Sequence, residues 1–377
     1  MRDPRLDRLA DVIVRYSTRV KRGDTVEIRA VPVAMPLITA VYEAVLKAGG
    51  HPFYVARPEE LEEAMVRFGS DEQLAFASPF DVQRAKAVDV HIGLWAQENT
   101  KFMGNADPRK LGLRGQARKP IMTEYLRRAA LGEHRWCGTL YPTNASAQDA
   151  EMSLTEYETF VFEAGLLHLP DPVAAWTAIY ESQKQVCDWL NKKKEVRFVA
   201  PPRDGHDGTD LRVNVDGSTW INCGGHENFP DGEVFAGPRG VDGHVNYTFP
   251  GVYQGREVEG IRLAFKGGRV VDASATRNEA FLLAMLDQDE GARVLGEIAI
   301  GTNYAIKQFS KNTLFDEKIG GTFHAACGAG YPESGSSNES GLHWDMVCDL
   351  RQGGSIAGDA EVFHRDGKFL RAGWPGN

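Results

Sequence analysis

Ala87-Val88-Asp89-Val90-His91-Ile92-Gly93-Leu94-Trp95 reads as a largely buried strand, with apolar side chains on both faces and few polar interruptions. Strands of this kind belong to parallel sheets that are covered on both sides. Toward the N-terminus the pattern alternates. Phe53-Tyr54-Val55 and Thr25-Val26-Glu27-Ile28-Arg29 are further strands. Between them Pro36 opens a helix with Leu37, Val41, Ala44 and Val45 along one side, and Gly49-Gly50 ends it. Leu6, Leu9, Ile13 and Val14 mark an earlier helix, and a charged one covers Glu59 to Phe68. Toward the C-terminus, a helix and then the strand Arg135 to Tyr141 lie between Pro120 and Pro142. Alternating strands and helices predict an α/β N-terminal domain with a mainly parallel sheet. Ser153-Leu154-Thr155-Glu156 reads as a capping box. A long helix after Pro170-Asp171-Pro172 finishes at Lys192-Lys193-Lys194, where cations suit the helix dipole. The domain boundary is expected there, giving 1–194 and 195–377.

Beyond that point the texture changes. Val196 to Val199, Leu211 to Val215, Ile261 to Phe265 and Val270 to Ala273 are short alternating strands separated by Gly, Asp and Asn turns. A β-rich α+β C-terminal domain is expected, with one clear helix over Arg277 to Leu286. A chain of 377 residues suits two domains. Its 42% hydrophobic and 25% charged residues are ordinary for a globular protein. A net charge of −9 argues against nucleic acid or an anionic membrane as the main partner. The five cysteines are scattered without a Cys-x-x-Cys pair, so neither a disulfide framework nor a thiolate zinc site is indicated. With no apolar leader and no run of apolar residues long enough to span a bilayer, the reading is cytoplasmic. Gly-x-Gly-x-x-Gly and Walker-type loops are also missing, so a nucleotide is not supported.

The chemistry points to the second half. In Ser340-Gly341-Leu342-His343-Trp344-Asp345-Met346-Val347-Cys348-Asp349 a period of two puts His343 and Asp345 on one strand face and Trp344, Met346 and Cys348 on the other. A strand holds two such side chains close enough to converge on a cation. Glu233 follows a Pro-Asp-Gly turn and starts an apolar stretch, where it is either an exposed turn acid or a partnered buried one. Glu297 sits among Val294, Leu295, Ile298 and Ala299, a setting too apolar for an unpaired charge. His324 is surrounded by small residues, as a core histidine or a ligand would be, and Tyr331 lies just beyond it. Two imidazoles and three carboxylates suit zinc, cobalt or manganese and exceed what one tetrahedral ion requires. Two ions sharing a carboxylate would use the set fully, and such a pair is suited to amide hydrolysis. Glu317 is the carboxylate considered for a general base, although a solvated acid is its plainer reading.

Phe229 to Phe235, Gly291 to Glu297, Asn312 to Lys318, His324 with Gly328 and Tyr331, and His343-Trp344-Asp345 resemble the successive signatures of the M29 family. These are the thermophilic metalloaminopeptidases of the aminopeptidase T and aminopeptidase S group. Tyr141-Pro142-Thr143 and Ala150 to Ser153 extend the resemblance into the first half. It implies a metal-dependent aminopeptidase acting on peptides with a free N-terminus, a homodimer carrying two divalent ions. Glu233, Glu297, His324, His343 and Asp345 would be the ligands, Glu297 the bridge, and Tyr331 a hydrogen-bond donor to the reacting carbonyl. Around His324 the chain departs from the family. Many members read Asp-Glu-Asn-Ala and then Cys-His-Ile-Ala-Leu-Gly, where this chain has Asp316-Glu317-Lys318-Ile319 and then Phe323-His324-Ala325-Ala326-Cys327-Gly328. The rival reading is a single ferrous ion on His324, His343 and Asp345, as in a ring-cleaving dioxygenase. A non-catalytic module with a structural metal is a third.

Overall fold

Thr25–Ala30 lies inside a five-stranded sheet, with His51–Ala56 on one side and Val90–Trp95 on the other. Arg135–Leu140 and then Asn228–Phe229 extend it, every pairing being parallel. The computed structural model describes residues 2–203 and 205–376. Val26, Ile28, Val90, Ile92 and Leu94 are buried in this sheet, which accounts for the apolar reading of those strands. Met35–Ala48 links the first two strands and ends at Gly49, whose φ of 85° is left-handed and suits glycine. Ser153 and Glu156 form the reciprocal capping box. One helix begins earlier than its sequence suggests. Pro108–Ala130 starts on a cap from Asp107 and carries Pro120 within it. The proline removes one hydrogen bond, but Ala117 before it and Tyr125 and Arg128 after it are buried and hold both arms.

The chain divides into two compact units, residues up to Val173 with Gly225–Phe229, and Ala174–Gly224 with Pro230 onward. The division falls ahead of the lysine run. Helix Pro172–Leu190 sends Val186, Cys187 and Leu190 into the core of the second unit. Its apolar packing, not its charged end, decides where it belongs.

The second unit is built on two antiparallel sheets, one of eight strands and one of five. The five-stranded sheet runs His343–Asp349, Thr322–Gly328, Leu295–Gly301, Glu233–Ala236, Ile221–Cys223. Both sheets line one core. Val196, Phe198, Leu211 and Val213 come from the larger sheet, and Ile298, Ile300, Phe323, Ala325, Trp344 and Met346 from the smaller. The Phe198 and Phe323 rings lie 4.5 Å apart between their centroids. Each such side chain is worth about 1.5–3 kcal/mol of burial, so the smaller sheet is a firm platform for its other face. Among the described residues no helix is long and apolar enough to cross a membrane.

Candidate metal centre

The register of the five-stranded sheet fixes which side chains share that other face. Asp345 sits opposite Ala326, and His343 opposite Gly328. Ala326 is paired with Glu297, and His324 with Ala299. Glu233 is opposite Gly301, one strand further on. With period two along each strand, Glu233, Glu297, His324, His343 and Asp345 all project from the face that the core does not use. Their neighbours on the strands, Val234, Ile298, Phe323, Trp344 and Met346, belong to the core. The small side chains of Ala299 and Ala326 leave room above the sheet.

Gly296 tunes this alignment. The pairing slips by one residue between Leu295 and Glu297, a β-bulge centred on the glycine. A side chain there is excluded, since a Cβ on Gly296 would stand 2.3 Å from the Gly328 carbonyl and 2.5 Å from that of Ala329. Beyond the bulge Glu297 Oε1 reaches His324 Nε2 at 3.0 Å.

The same imidazole nitrogen meets Glu233 Oε2 at 3.4 Å and Asp345 Oδ1 at 3.7 Å. Asp345 Oδ2 is 3.5 Å from His343 Nε2. Both rings are held from behind. His324 Nδ1 lies 3.0 Å from the Glu317 carbonyl and His343 Nδ1 lies 2.8 Å from the Ala329 carbonyl, so each Nδ1 carries the proton and donates it. That tautomer leaves both Nε2 lone pairs facing carboxylates. Lone pair against carboxylate repels, so a cation belongs between them. Glu233 Oε2 and Asp345 Oδ1 are likewise buried without a hydrogen-bond partner.

The titration behaviour says the same. Burial opposes charge on the His324 ring, but the Glu297 hydrogen bond and the Glu233 and Asp345 carboxylates outweigh it and push the pKa up to about 10. His343 also rises to about 10, burial being overcome chiefly by Asp345. Burial raises Glu233 to about 8. Protons are drawn to positions where a divalent ion would fit equally well. Among the described residues donor atoms come within 4.8 Å of one another in four sets here: Cys223, Asp231 and Glu233; Glu233, Glu297 and His324; Glu297, His343 and Asp345; Glu317, His324 and Asp345.

Glu317 is therefore not the solvated acid its sequence context suggests. Its side chain is 13% exposed, and burial raises its pKa. Beside it, Lys318 carries no local sign of its setting. It is fully buried and pairs with Glu317, with Glu233 at 3.2 Å and with Asp231 at 3.9 Å. A lysine following two acids looks like a surface residue, and only its enclosure between strands shows otherwise. Tyr331 stands at the rim, 43% exposed, with its ring centroid 5.4 Å from that of His343 and 5.5 Å from that of Phe235. Burial first, and then the Glu297, Asp345, Glu317 and Glu233 charges, hold its hydroxyl pKa well above the ordinary value, so it remains a donor.

The fold and these donors define a protein with a buried nitrogen and oxygen cluster, on the open face of an antiparallel sheet, suited to divalent cations. The model of the thermophilic metalloprotease family M29 matches residues 2–369, and the chain belongs to that family. It is 29% identical to Aminopeptidase 2 of Geobacillus stearothermophilus, covering 97% of each chain. The solved structure of wild-type AmpT from Thermus thermophilus superposes with a TM-score of 0.83 over 98% of this chain and 99% of that one, at 23% identity. A 2,5-dihydroxypyridine dioxygenase from Pseudomonas putida KT2440 shares the fold more distantly, with a TM-score of 0.59, 12% identity and 98% of each chain covered.

Proposed function

We propose that this chain is a metal-dependent aminopeptidase that releases N-terminal amino acids from peptides, with two divalent ions held by Glu233, Glu297, His324, His343 and Asp345, and Glu297 between them. The observation that carries the reading is His324. Its Nδ1 proton is spent on a backbone carbonyl while Nε2 faces three carboxylate oxygens within 3.7 Å, an arrangement that asks for a cation. Zinc, cobalt and manganese suit this mixed donor set. Such ions polarise a carbonyl and make water a competent nucleophile near neutral pH. Within the protein, Glu297 and Asp345 orient the imidazoles, the backbone carbonyls fix their tautomers, and the Tyr331 hydroxyl donates to the oxygen that gains charge as the peptide carbonyl becomes tetrahedral. Glu317 lies within donor distance of His324 and Asp345 and extends the set. A shallow open pocket lined by Pro250, Val252, Phe309 and Val347 lies alongside Asp345 and Glu317. The relatives' names support the aminopeptidase assignment, and the family resemblance supports a homodimer. Five scattered cysteines without a Cys-x-x-Cys pair accord with a reducing, cytoplasmic setting.

A ferrous dioxygenase site would need only His324, His343 and Asp345, leaving Glu233, Glu297 and Glu317 buried to no purpose. The likeness to the pyridine dioxygenase is one of fold alone. The deciding experiment measures metal content per chain together with hydrolysis of aminoacyl-p-nitroanilides, before chelation and after refilling, for wild type and Glu297→Ala. The proposal expects two ions, chelator-sensitive release, and loss of both in the variant. A single iron, or full activity in Glu297→Ala with normal metal content, would refute it.

A further inference from the structure

The donor cluster contains a cation of its own. Lys318 has no exposed surface, and its ammonium lies 3.2 Å from Glu233 Oε1 and 3.9 Å from Asp231 Oδ1 while also contacting Glu317 Oε1. An ammonium so deeply enclosed persists only where carboxylates compensate it. The direct contacts are one-sided, and at Asp345 the lysine acts only as the least of the neighbouring charges. Among the described residues Lys318 makes no ion pair with Glu297, His343 or Asp345, whose donors form a set by themselves. The other three sets each include a carboxylate that Lys318 already partners, Glu233 in two and Glu317 in the third.

Resting on the two-ion reading above, we infer that the two ion positions are unequal by construction: the position at Glu297, His343 and Asp345 fills first, and the Lys318 ammonium competes with an ion at His324, whose donor sets draw on Glu233 or Glu317. The charge balance makes the case. Asp231, Glu233, Glu297, Glu317 and Asp345 contribute five negative charges, and Lys318 leaves four. A first divalent ion leaves two. The second ion is drawn by that remainder alone, and it enters within a few ångströms of a fixed positive charge. Like charges this close repel strongly even at an effective dielectric of about 20.

The test titrates the full-length, metal-stripped protein with cobalt(II), followed by visible absorption and by calorimetry. Wild type should bind one ion tightly and a second on the order of a hundredfold more weakly. In Lys318→Met the second step should tighten by at least about tenfold, bringing the two together. His343→Ala should lose the tight step and keep the weak one. Two equal steps in wild type, a tight step retained in His343→Ala, or a second step unchanged or weakened in a folded Lys318→Met would each overturn the inference. If Lys318→Met does not fold, wild type and His343→Ala decide. Failure of wild type to bind any cobalt would instead bring down the metal-centre reading, and the ordering with it.

Discussion

Tyr331→Phe tests the catalytic half of the proposal without disturbing the metal half. The ring is located by Phe235 and His343, at centroid separations of 5.5 and 5.4 Å, and phenylalanine keeps both contacts. What is lost is one hydroxyl that burial first, and then the surrounding carboxylates, keep protonated. Removing a single donor to a developing oxyanion costs about 10²- to 10³-fold in kcat. Tyr331 is 43% exposed, which weakens its field and points to the lower end. The expected result is a fall in kcat of about a hundredfold, or about 2.7 kcal/mol of transition-state stabilisation, with KM and metal content unchanged. Steady-state hydrolysis of an aminoacyl-p-nitroanilide by metal-quantified enzyme measures it. A kcat within about threefold of wild type would remove Tyr331 from the transition state, and a drop in bound metal would move its role to the ions.

Gly296→Ala should disrupt the bulge, because the new Cβ meets two backbone carbonyls at 2.3 and 2.5 Å that cannot rotate away. A stability loss of about 1–3 kcal/mol or more, together with weakened metal binding, should appear in thermal unfolding and metal analysis; an unchanged variant would mean the bulge does not set Glu297. His364 is wholly buried, and burial depresses its pKa to about 4. The folded chain keeps it neutral while the unfolded chain takes up a proton below about pH 6.5, so its contribution is intact above that pH and is lost as pH falls toward 4. His364→Phe should flatten the acid limb of stability by up to about 3 kcal/mol over that window, as denaturant unfolding at several pH values would reveal. An equally steep limb in the variant would assign the acid sensitivity to other groups.

Much of this molecule is legible before it folds, since period and punctuation are local. The strands at Val26, Val90 and Trp136, the Gly49 stop and the Ser153 capping box follow from side chains within a few residues of one another. So does the sorting of His343 and Asp345 onto one face and Trp344, Met346 and Cys348 onto the other, because the pleat leaves no alternative. The acids at Glu233 and Glu297 were marked by the same logic, as charges set among apolar neighbours.

Register and enclosure are properties of the assembled sheet, and these only the tertiary structure decided. Helix Pro172–Leu190 belongs with the second unit because its apolar side meets that core, a fact that a run of lysines at its end cannot express. Glu297 reaches His324 because Gly296 shifts the pairing by one residue, and no local pattern announces a bulge whose partner strand lies further along the chain. Glu317 reads as a solvated acid and proves to be buried among the donors, with Lys318 enclosed beside it. Alternation and capping act between neighbours in sequence, and so the sequence alone determined which residues were available for the metal centre; the electrostatic field acts between neighbours in space, so which of them share charge with a fixed ammonium was decided by the fold.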